Sequence, residues 1–118
     1  MAVTQSKGFR VSGVVREAET GRPLSNLIVR AFDRDLMFDD KLGYAVTDDG
    51  GRFEIRFERE AFRDLLETRP DLYLRVLDRL GVRILHDTRG AMRRRASHDE
   101  EYEIAIPARS LDTRPAAK

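Results

Sequence analysis

An acidic loop holds the residues of this sequence whose types and spacing could do chemistry most directly. Its carboxylates are Asp33, Asp35, Asp39 and Asp40. Calcium prefers several carboxylate and carbonyl oxygens at about 2.3 to 2.6 Å, and closely spaced aspartates on one loop can supply them. The loop therefore predicts a Ca²⁺ site. A plainer role suits the same residues, because Asp33 and Asp35 can end a turn or pair with Arg34, and both interpretations remain open at this point.

A basic run later in the chain is the second candidate. Arg93, Arg94 and Arg95 are consecutive, and such a run can hold an acidic partner through charge-assisted hydrogen bonds. Aromatic residues for base stacking are missing from its neighbourhood, and no nucleic-acid motif surrounds it. The run therefore predicts either a partner-binding surface or a solvated loop, and not a nucleic-acid site.

Patterns typical of catalysis are missing from the sequence. The histidines, His86 and His98, lack the close spacing of a zinc protease motif. No serine lies in a Gly-x-Ser-x-Gly elbow, and the Gly50-Gly51 pair leads into a strand pattern, whereas a phosphate loop opens a helix. The chain has no cysteine. We therefore predict no catalytic residue and no required cofactor.

Composition limits the class of partner and the compartment. The 118 residues include 22 basic and 21 acidic ones, so a formal net charge of +1 attracts the chain to neither nucleic acid nor membrane. The N-terminus lacks the apolar stretch of a secretory signal, and no segment is apolar enough to span a bilayer. We expect a cytoplasmic protein without membrane insertion. Export by another route, or origin in a longer protein, fits the same residues, and the oligomeric state leaves no signal.

Seven strand patterns and one helix pattern must position these candidates. Apolar and polar residues alternate with the period of a half-buried strand. These segments are 9–16, 26–33, 44–47, 52–57, 72–76, 82–86 and 102–106. Residues 58–68 change to helical spacing. Short strands with turns between them indicate a mainly β fold, an antiparallel β-sandwich of seven strands with one short helix near residues 58–68.

Turn chemistry and composition complete this organisation. Residues 48–51, Asp-Asp-Gly-Gly, predict a hairpin between the third and fourth strands, because this turn tolerates positive φ. Residues 88–100 are polar and predict an exposed loop. The domain then occupies 9–107, between a flexible N-terminus at 1–8 and a disordered C-terminal tail at 108–118.

Two turn motifs carry a resemblance to a known family. They are Thr20-Gly21-Arg22-Pro23-Leu24 and Thr47-Asp48-Asp49-Gly50-Gly51-Arg52-Phe53, preceded by Gly13-Val14-Val15. Together they resemble the transthyretin-like, or carboxypeptidase regulatory-like, β-sandwich, which is also called prealbumin-like and Ig-like. The resemblance implies an accessory or ligand-presenting module, which takes its role from an enzyme, surface protein or secretion machine that it accompanies.

Enzymes with related folds supply a test of activity. Hydroxyisourate hydrolases close with a tyrosine-arginine-glycine-serine segment, whereas the last strand here leads into residues 108–111, Ala-Arg-Ser-Leu. Intradiol dioxygenases bind iron through two tyrosines and two histidines, and the tyrosines and histidines here do not reproduce that spacing. The acidic loop also resembles the aspartate loop of the calcium-dependent lipid-binding module of protein kinase C and synaptotagmin, without its companion loop.

Three hypotheses of function follow from the sequence. The first is a non-catalytic transthyretin-like binding or adaptor module, which engages a protein partner or an attached neighbouring domain through strand-end loops or a sheet edge. The second is a calcium-binding module built on residues 33–40. The third is a small hydrolase of the transthyretin type, which lacks the closing motif of that class.

Overall fold

The computed structural model describes residues 8–35, 38–61 and 69–111, and within them the chain forms seven strands and one short helix. In chain order these are β1 (Phe9–Glu17), β2 (Ile28–Asp33), β3 (Asp40–Val46), β4 (Arg52–Phe57), β5 (Leu72–Leu77), β6 (Ile84–Asp87), β7 (Asp99–Ile106) and α1 (Ala108–Leu111). The predicted mainly β architecture with seven strands is confirmed.

The strands form two sheets around one apolar core. One sheet has three strands in the order β4-β1-β7, and the other has four in the order β3-β2-β5-β6. Alternate residues of each strand point into the core, which is why the sequence alternates. Its largest fully buried members include Ile55, Leu72, Leu74, Ile106 and Val11, drawn from both sheets.

The prediction of an all-antiparallel fold is wrong at one pair of strands. The first and last strands, β1 and β7, run parallel from Arg10 opposite Asp99 to Glu17 opposite Ile106. Every other pair is antiparallel. No hairpin joins β1 to β7, since the intervening strands cross between the sheets, and a pair without a tight connection is free to run in either direction.

The turn at residues 48–51 forms as predicted, but its role as a hairpin is wrong. The Asp48 carboxylate accepts the N–H groups of Gly50 and Arg52, each at 2.9 Å, and Gly51 has φ of +73°. The turn nevertheless carries the chain from β3 in the four-stranded sheet to β4 in the three-stranded one. A Cβ on Gly51 would lie 2.4 Å from the Val15 carbonyl oxygen, so glycine is also required for this close packing.

Three predicted segments lie partly outside the described residues. Arg59–Ala61 form one 3₁₀ turn at the start of the predicted helix, whose residues 62–68 are not described. The predicted tail begins with α1, and its residues 112–118 are outside the description, as are residues 1–7 of the predicted flexible N-terminus. Within the described ranges, no helix has the length and apolar character needed to cross a membrane.

Candidate functional site

The first and last aspartates of the acidic segment lie at the ends of strands, and only the two between them lie on the loop. Asp33 ends β2 and Asp40 begins β3, and the two are opposite one another in the sheet. Asp33 is 2% exposed, and its carboxylate accepts the N–H of Asp71 at 2.8 Å. The side chain of Asp33 thus anchors the segment that leads into β5.

Asp39 is held by a polar cluster at the end of the four-stranded sheet. Its carboxylate accepts the Tyr73 hydroxyl at 2.5 Å and the Asp35 N–H at 3.1 Å, and Arg89 lies 3.4 Å away. Burial opposes the charge of Asp39, but these donors outweigh it and lower its pKa. Burial and the Asp39 carboxylate raise the pKa of Tyr73 to about 12.

This arrangement leaves few oxygens of the loop directed at a common point. Protein donors already occupy the carboxylates of Asp33 and Asp39, and a Ca²⁺ ion would have to displace them. Throughout residues 8–35, 38–61 and 69–111, no group of three or more histidines, aspartates or glutamates is placed to hold a metal. Calcium binding stays a prediction.

The arginine run is divided by the fold. Arg93 exchanges both backbone hydrogen bonds with Leu72, each at 2.8 Å, and its guanidinium bonds Glu100 at 2.7 Å. It also lies 3.7 Å from the centre of the Tyr102 ring. Arg94 and Arg95 are exposed, and the Arg95 N–H donates to Asp71. The predicted exposed loop at 88–100 is therefore fastened to β5 and β7, and Arg93 serves packing.

The two histidines lie against different sheets. His86 lies on β6, whereas the ring of His98 stacks on Phe9 of β1 with ring centres 4.3 Å apart. Tyr102 is on β7 with a hydroxyl that is buried and has no hydrogen-bond partner among the described residues, and burial raises its pKa to about 12. These residues share no site.

The outer face of the four-stranded sheet presents an apolar band that sequence reasoning missed. Val46, Ile28, Leu77 and Ile84 lie directly opposite one another across β3, β2, β5 and β6. We name these four residues the apolar row. Leu77 is buried, Ile28 is half-buried, and the two edge residues are each 52% exposed.

The turn between β5 and β6 extends this band. Leu80 and Val82 are 76% and 80% exposed, close in sequence to Ile84 at the end of the row. Asp78 shapes this turn by accepting the N–H groups of Val82 and Arg83, at 3.0 and 3.3 Å. A hydrogen-bonded turn thus holds two apolar side chains in solvent beside the apolar row, since a Cβ on Gly81 would lie 3.4 Å from the Ile28 side chain.

Farther along the strands, cations and aromatic rings replace the apolar row. Tyr44 is opposite Arg30, and Arg30 is opposite Arg75. Arg75 bonds Asp87 at 3.1 Å and lies 5.3 Å above the Phe32 ring. A depression of about 310 Å³ opens between β2 and β3 at this level.

The outer face of the three-stranded sheet is different in chemistry. A groove of about 800 Å³ passes over Ser12 and Val14 between charged side chains of β4 and β7, and it reaches Val46 on the edge of the other sheet. Arg10 bonds Glu54 at 2.7 Å and Asp99 at 3.1 Å. The hydrogen bond from Arg10, with help from a second arginine of β4, lowers the pKa of Glu54. Arg10, Arg56, Glu54 and Asp99 thus pair with one another on this face.

Comparison with known proteins finds neighbours in structure. No protein-family model matches the chain, and no curated protein does. The chain is similar to part of a 9R-lipoxygenase from Cyanothece PCC8801, with 28% sequence identity and a TM-score of 0.65 over 91% of this chain. The match spans 18% of the lipoxygenase.

The chain is also similar in fold to a second solved structure. It is the dioxygenase domain of a dioxygenase and carbohydrate-binding protein fusion from the cellulolytic bacterium Streptomyces sp. SirexAA-E. The sequence identity is 16% and the TM-score 0.52, over 89% of this chain and 84% of that one.

Proposed function

We propose that this chain is a non-catalytic, transthyretin-like binding domain that engages a protein partner through the outer face of its four-stranded sheet. The apolar row, which reaches both edges of the sheet and continues into Leu80 and Val82, carries this proposal. Exposed apolar side chains that adjoin in one band mark interaction surfaces, whereas scattered ones do not. The sequence predicted binding through strand-end loops or a sheet edge. The proposal extends this to the whole outer face of the sheet, in which β3 is one edge strand.

The likeness to the lipoxygenase supports an accessory role. In that protein a unit of similar structure accounts for 18% of the chain, so most of the enzyme lies outside the match. A neighbouring domain in a longer polypeptide is therefore as suitable an occupant of the apolar row as a separate protein. Either occupant would bury the exposed halves of Val46 and Ile84.

Alternative functions have less support. A dioxygenase activity would need its iron ligands together, whereas His86 lies on β6 and His98 stacks on Phe9 of β1. Calcium binding would need carboxylate oxygens that Tyr73, Arg89 and backbone N–H groups occupy. A hydrolase of the transthyretin type would need its closing motif, which residues 108–111 lack.

Site-specific photo-crosslinking tests the proposed face. A photoreactive amino acid is placed at Tyr44 or Ile84 on the four-stranded sheet, and at Arg52 or Glu103 on the three-stranded sheet as matched controls. In cells that express the protein, the first two positions should capture one common protein, identified by mass spectrometry. That protein, once purified, should bind the chain at least about tenfold more weakly when Ile84→Asp is introduced.

The contrary result is equally clear. Equal capture from both faces, or a partner whose affinity is unchanged by Ile84→Asp, would remove the four-stranded face as the binding surface. Thermal melting of the Ile84→Asp protein guards against unfolding as the cause, and Ile84 is exposed enough that the fold should tolerate aspartate.

A further inference from the structure

An irregularity in strand pairing creates the depression between β2 and β3. Ala31 is opposite Gly43, but the next residue of β2, Phe32, is opposite Lys41, so Leu42 is an extra residue. Leu42 turns into the core, and Gly43 faces the core as well, since a Cβ there would lie 3.0 Å from the Ile55 side chain. The outer face therefore lacks a side chain between Lys41 and Tyr44, and this gap is the depression of about 310 Å³.

Two cations beside this depression lack acidic partners. Arg30 and Lys41 both line it, and neither has a carboxylate within ion-pair distance in the part of the chain that the structure describes. The neighbouring Arg75 is paired with Asp87 on the same face. The pairing is thus incomplete at one place on the face, and that place is concave.

The side chain of Arg30 also has an unused donor. Its Nε–H is buried and has no hydrogen-bond partner among the described residues. An unsatisfied buried donor of this kind destabilises the fold, and a ligand that accepts from it would remove that cost. A carboxylate binds a guanidinium through two parallel hydrogen bonds, and the edge that includes Nε supplies one of them. A rotation of Arg30 toward the depression would present this edge to a ligand.

The register of the sheet relates this depression to the apolar row. Arg30 is two residues from Ile28 on β2, and Tyr44 is two residues from Val46 on β3. Two residues along a strand span about 6.6 Å, and an extended peptide repeats side chains on one face at the same interval. A peptide lying along β2 and β3 would therefore place one side chain at the depression and the next on that face over the apolar row.

The geometry points to a carboxylate-binding subsite: Arg30 and Lys41 receive an acidic side chain of the protein partner, and the apolar row receives an apolar side chain two residues away. This inference rests on the proposed function and specifies the partner's chemistry as an extended segment that alternates acidic and apolar residues on one face. Tyr44, which is 67% exposed, lies opposite Arg30 and forms the outer wall.

An NMR titration of the full chain tests this subsite. The probes are a short blocked peptide that repeats aspartate-serine-leucine-serine and its counterpart with asparagine for aspartate. The acidic peptide should shift the backbone amide signals of Ile28, Arg30, Lys41 and Gly43. It should also bind at least about tenfold more tightly than the asparagine peptide, because only a carboxylate makes charge-assisted bonds.

Variants separate this subsite from general attraction to cations. Arg30→Gln and Lys41→Gln should each reduce the affinity for the acidic peptide toward that of the asparagine peptide. Arg52→Gln on the opposite sheet should leave the affinity unchanged. Lys41 is exposed, so its variant stays informative if Arg30→Gln impairs folding. Equal affinity for the two peptides, or an equal loss with Arg52→Gln, would overturn the inference.

Two further outcomes distinguish this inference from its premise. If crosslinking maps a partner to the four-stranded face but both peptides leave the amide signals unchanged, the subsite is refuted and the proposed function stands. If crosslinking maps the partner to the other sheet, the proposed function fails, whatever the peptides do. Vesicles containing phosphatidylserine that bind in an Arg30-dependent way, without any response to the acidic peptide, would replace the peptide carboxylate by a lipid headgroup.

Discussion

The two outer faces of this domain expose different kinds of side chain to solvent. On the three-stranded sheet, Arg10 and the acidic residues around it satisfy one another. On the four-stranded sheet, an apolar row crosses every strand, and Arg30 and Lys41 have no carboxylate partner among the described residues. Charges that are already paired within a face need no partner. A face with unpaired cations beside exposed apolar residues gains by acquiring one.

The largest expected effect comes from a substitution on the core side of the three-stranded sheet, at Gly13 of β1. Gly13 lies between Phe53 and Tyr102, and a Cβ there would lie 2.2 Å from the Tyr102 carbonyl oxygen and 3.0 Å from the Phe53 ring. Gly13→Ala must separate β1 from its parallel partner β7. We expect the free energy of unfolding, measured with urea, to fall by about 2–3 kcal/mol.

A matched glycine provides the control for this experiment. A Cβ on Gly90 would meet no atom within 4 Å, so Gly90→Ala should change the free energy of unfolding by less than about 0.5 kcal/mol. If Gly13→Ala is tolerated as well as Gly90→Ala, the space between Gly13 and the Tyr102 carbonyl oxygen is large enough for a methyl group, and β1 and β7 do not pack this closely.

A smaller effect concerns the polar cluster that ends the four-stranded sheet. Asp39→Asn removes the charge that Tyr73 and Arg89 stabilise, and should lower the free energy of unfolding by about 1–2 kcal/mol at neutral pH. The folded-state pKa of Asp39 is lower than its ordinary value of 3.8, so this contribution is complete above that value. It is lost as pH falls through the folded-state pKa.

Urea denaturation across a pH series measures this dependence. The difference between the native protein and Asp39→Asn should shrink as the medium becomes more acidic than the ordinary pKa of aspartate. Asp49→Asn, at an exposed turn position, should show no such trend. A difference that persists unchanged into strong acid would mean that Asp39 acts through packing and not through its charge.

The strands were predictable from sequence, whereas the face that they build was not. Alternation identifies each strand locally, because side chains of a half-buried strand alternate between core and solvent. The turn chemistry of residues 48–51 is the same for a hairpin and for a crossing between sheets, so that prediction gave the turn and not the pairing. The apolar row joins residues as distant as Ile28 and Ile84, and their register depends on irregularities at Leu42 and near Leu77.

The candidate site followed the same division. Sequence composition identified the aspartates and Arg93 as candidates, but the bonds of Asp39 to Tyr73 and of Arg93 to Leu72 join segments far apart in the chain. Local spacing contains no information about such partners. Nothing in the sequence separates Arg30 and Lys41 from the many other charged residues. Their lack of a carboxylate partner becomes visible only when their neighbours on adjacent strands are known.

A weaker effect separates a paired cation, Arg10 on the three-stranded face, from one that is unpaired within the described part of the chain, Lys41 on the four-stranded face. Arg10→Gln removes the exposed bonds to Glu54 and Asp99, and should lower the melting temperature at low ionic strength. About 1 M salt should remove this difference, because exposed ion pairs are screened. Lys41→Gln should not lower the melting temperature at either ionic strength. A loss with Lys41→Gln that salt removes would reveal an acidic partner and undermine the contrast between the faces.

The smallest expected effect is also the most direct test that Leu80 and Val82, beside the apolar row, are not covered by other parts of the chain. Leu80 and Val82 are mostly exposed in the folded chain, so Leu80→Ser and Val82→Ser forfeit little burial and should change the free energy of unfolding by less than about 0.5 kcal/mol. Retention on a hydrophobic-interaction column should nevertheless decrease, since both side chains contribute to the surface. A loss of more than about 1 kcal/mol in either variant would mean that other parts of the chain cover these residues in solution. The four-stranded face would then be occupied from within, and a partner would have to displace that cover before it could bind.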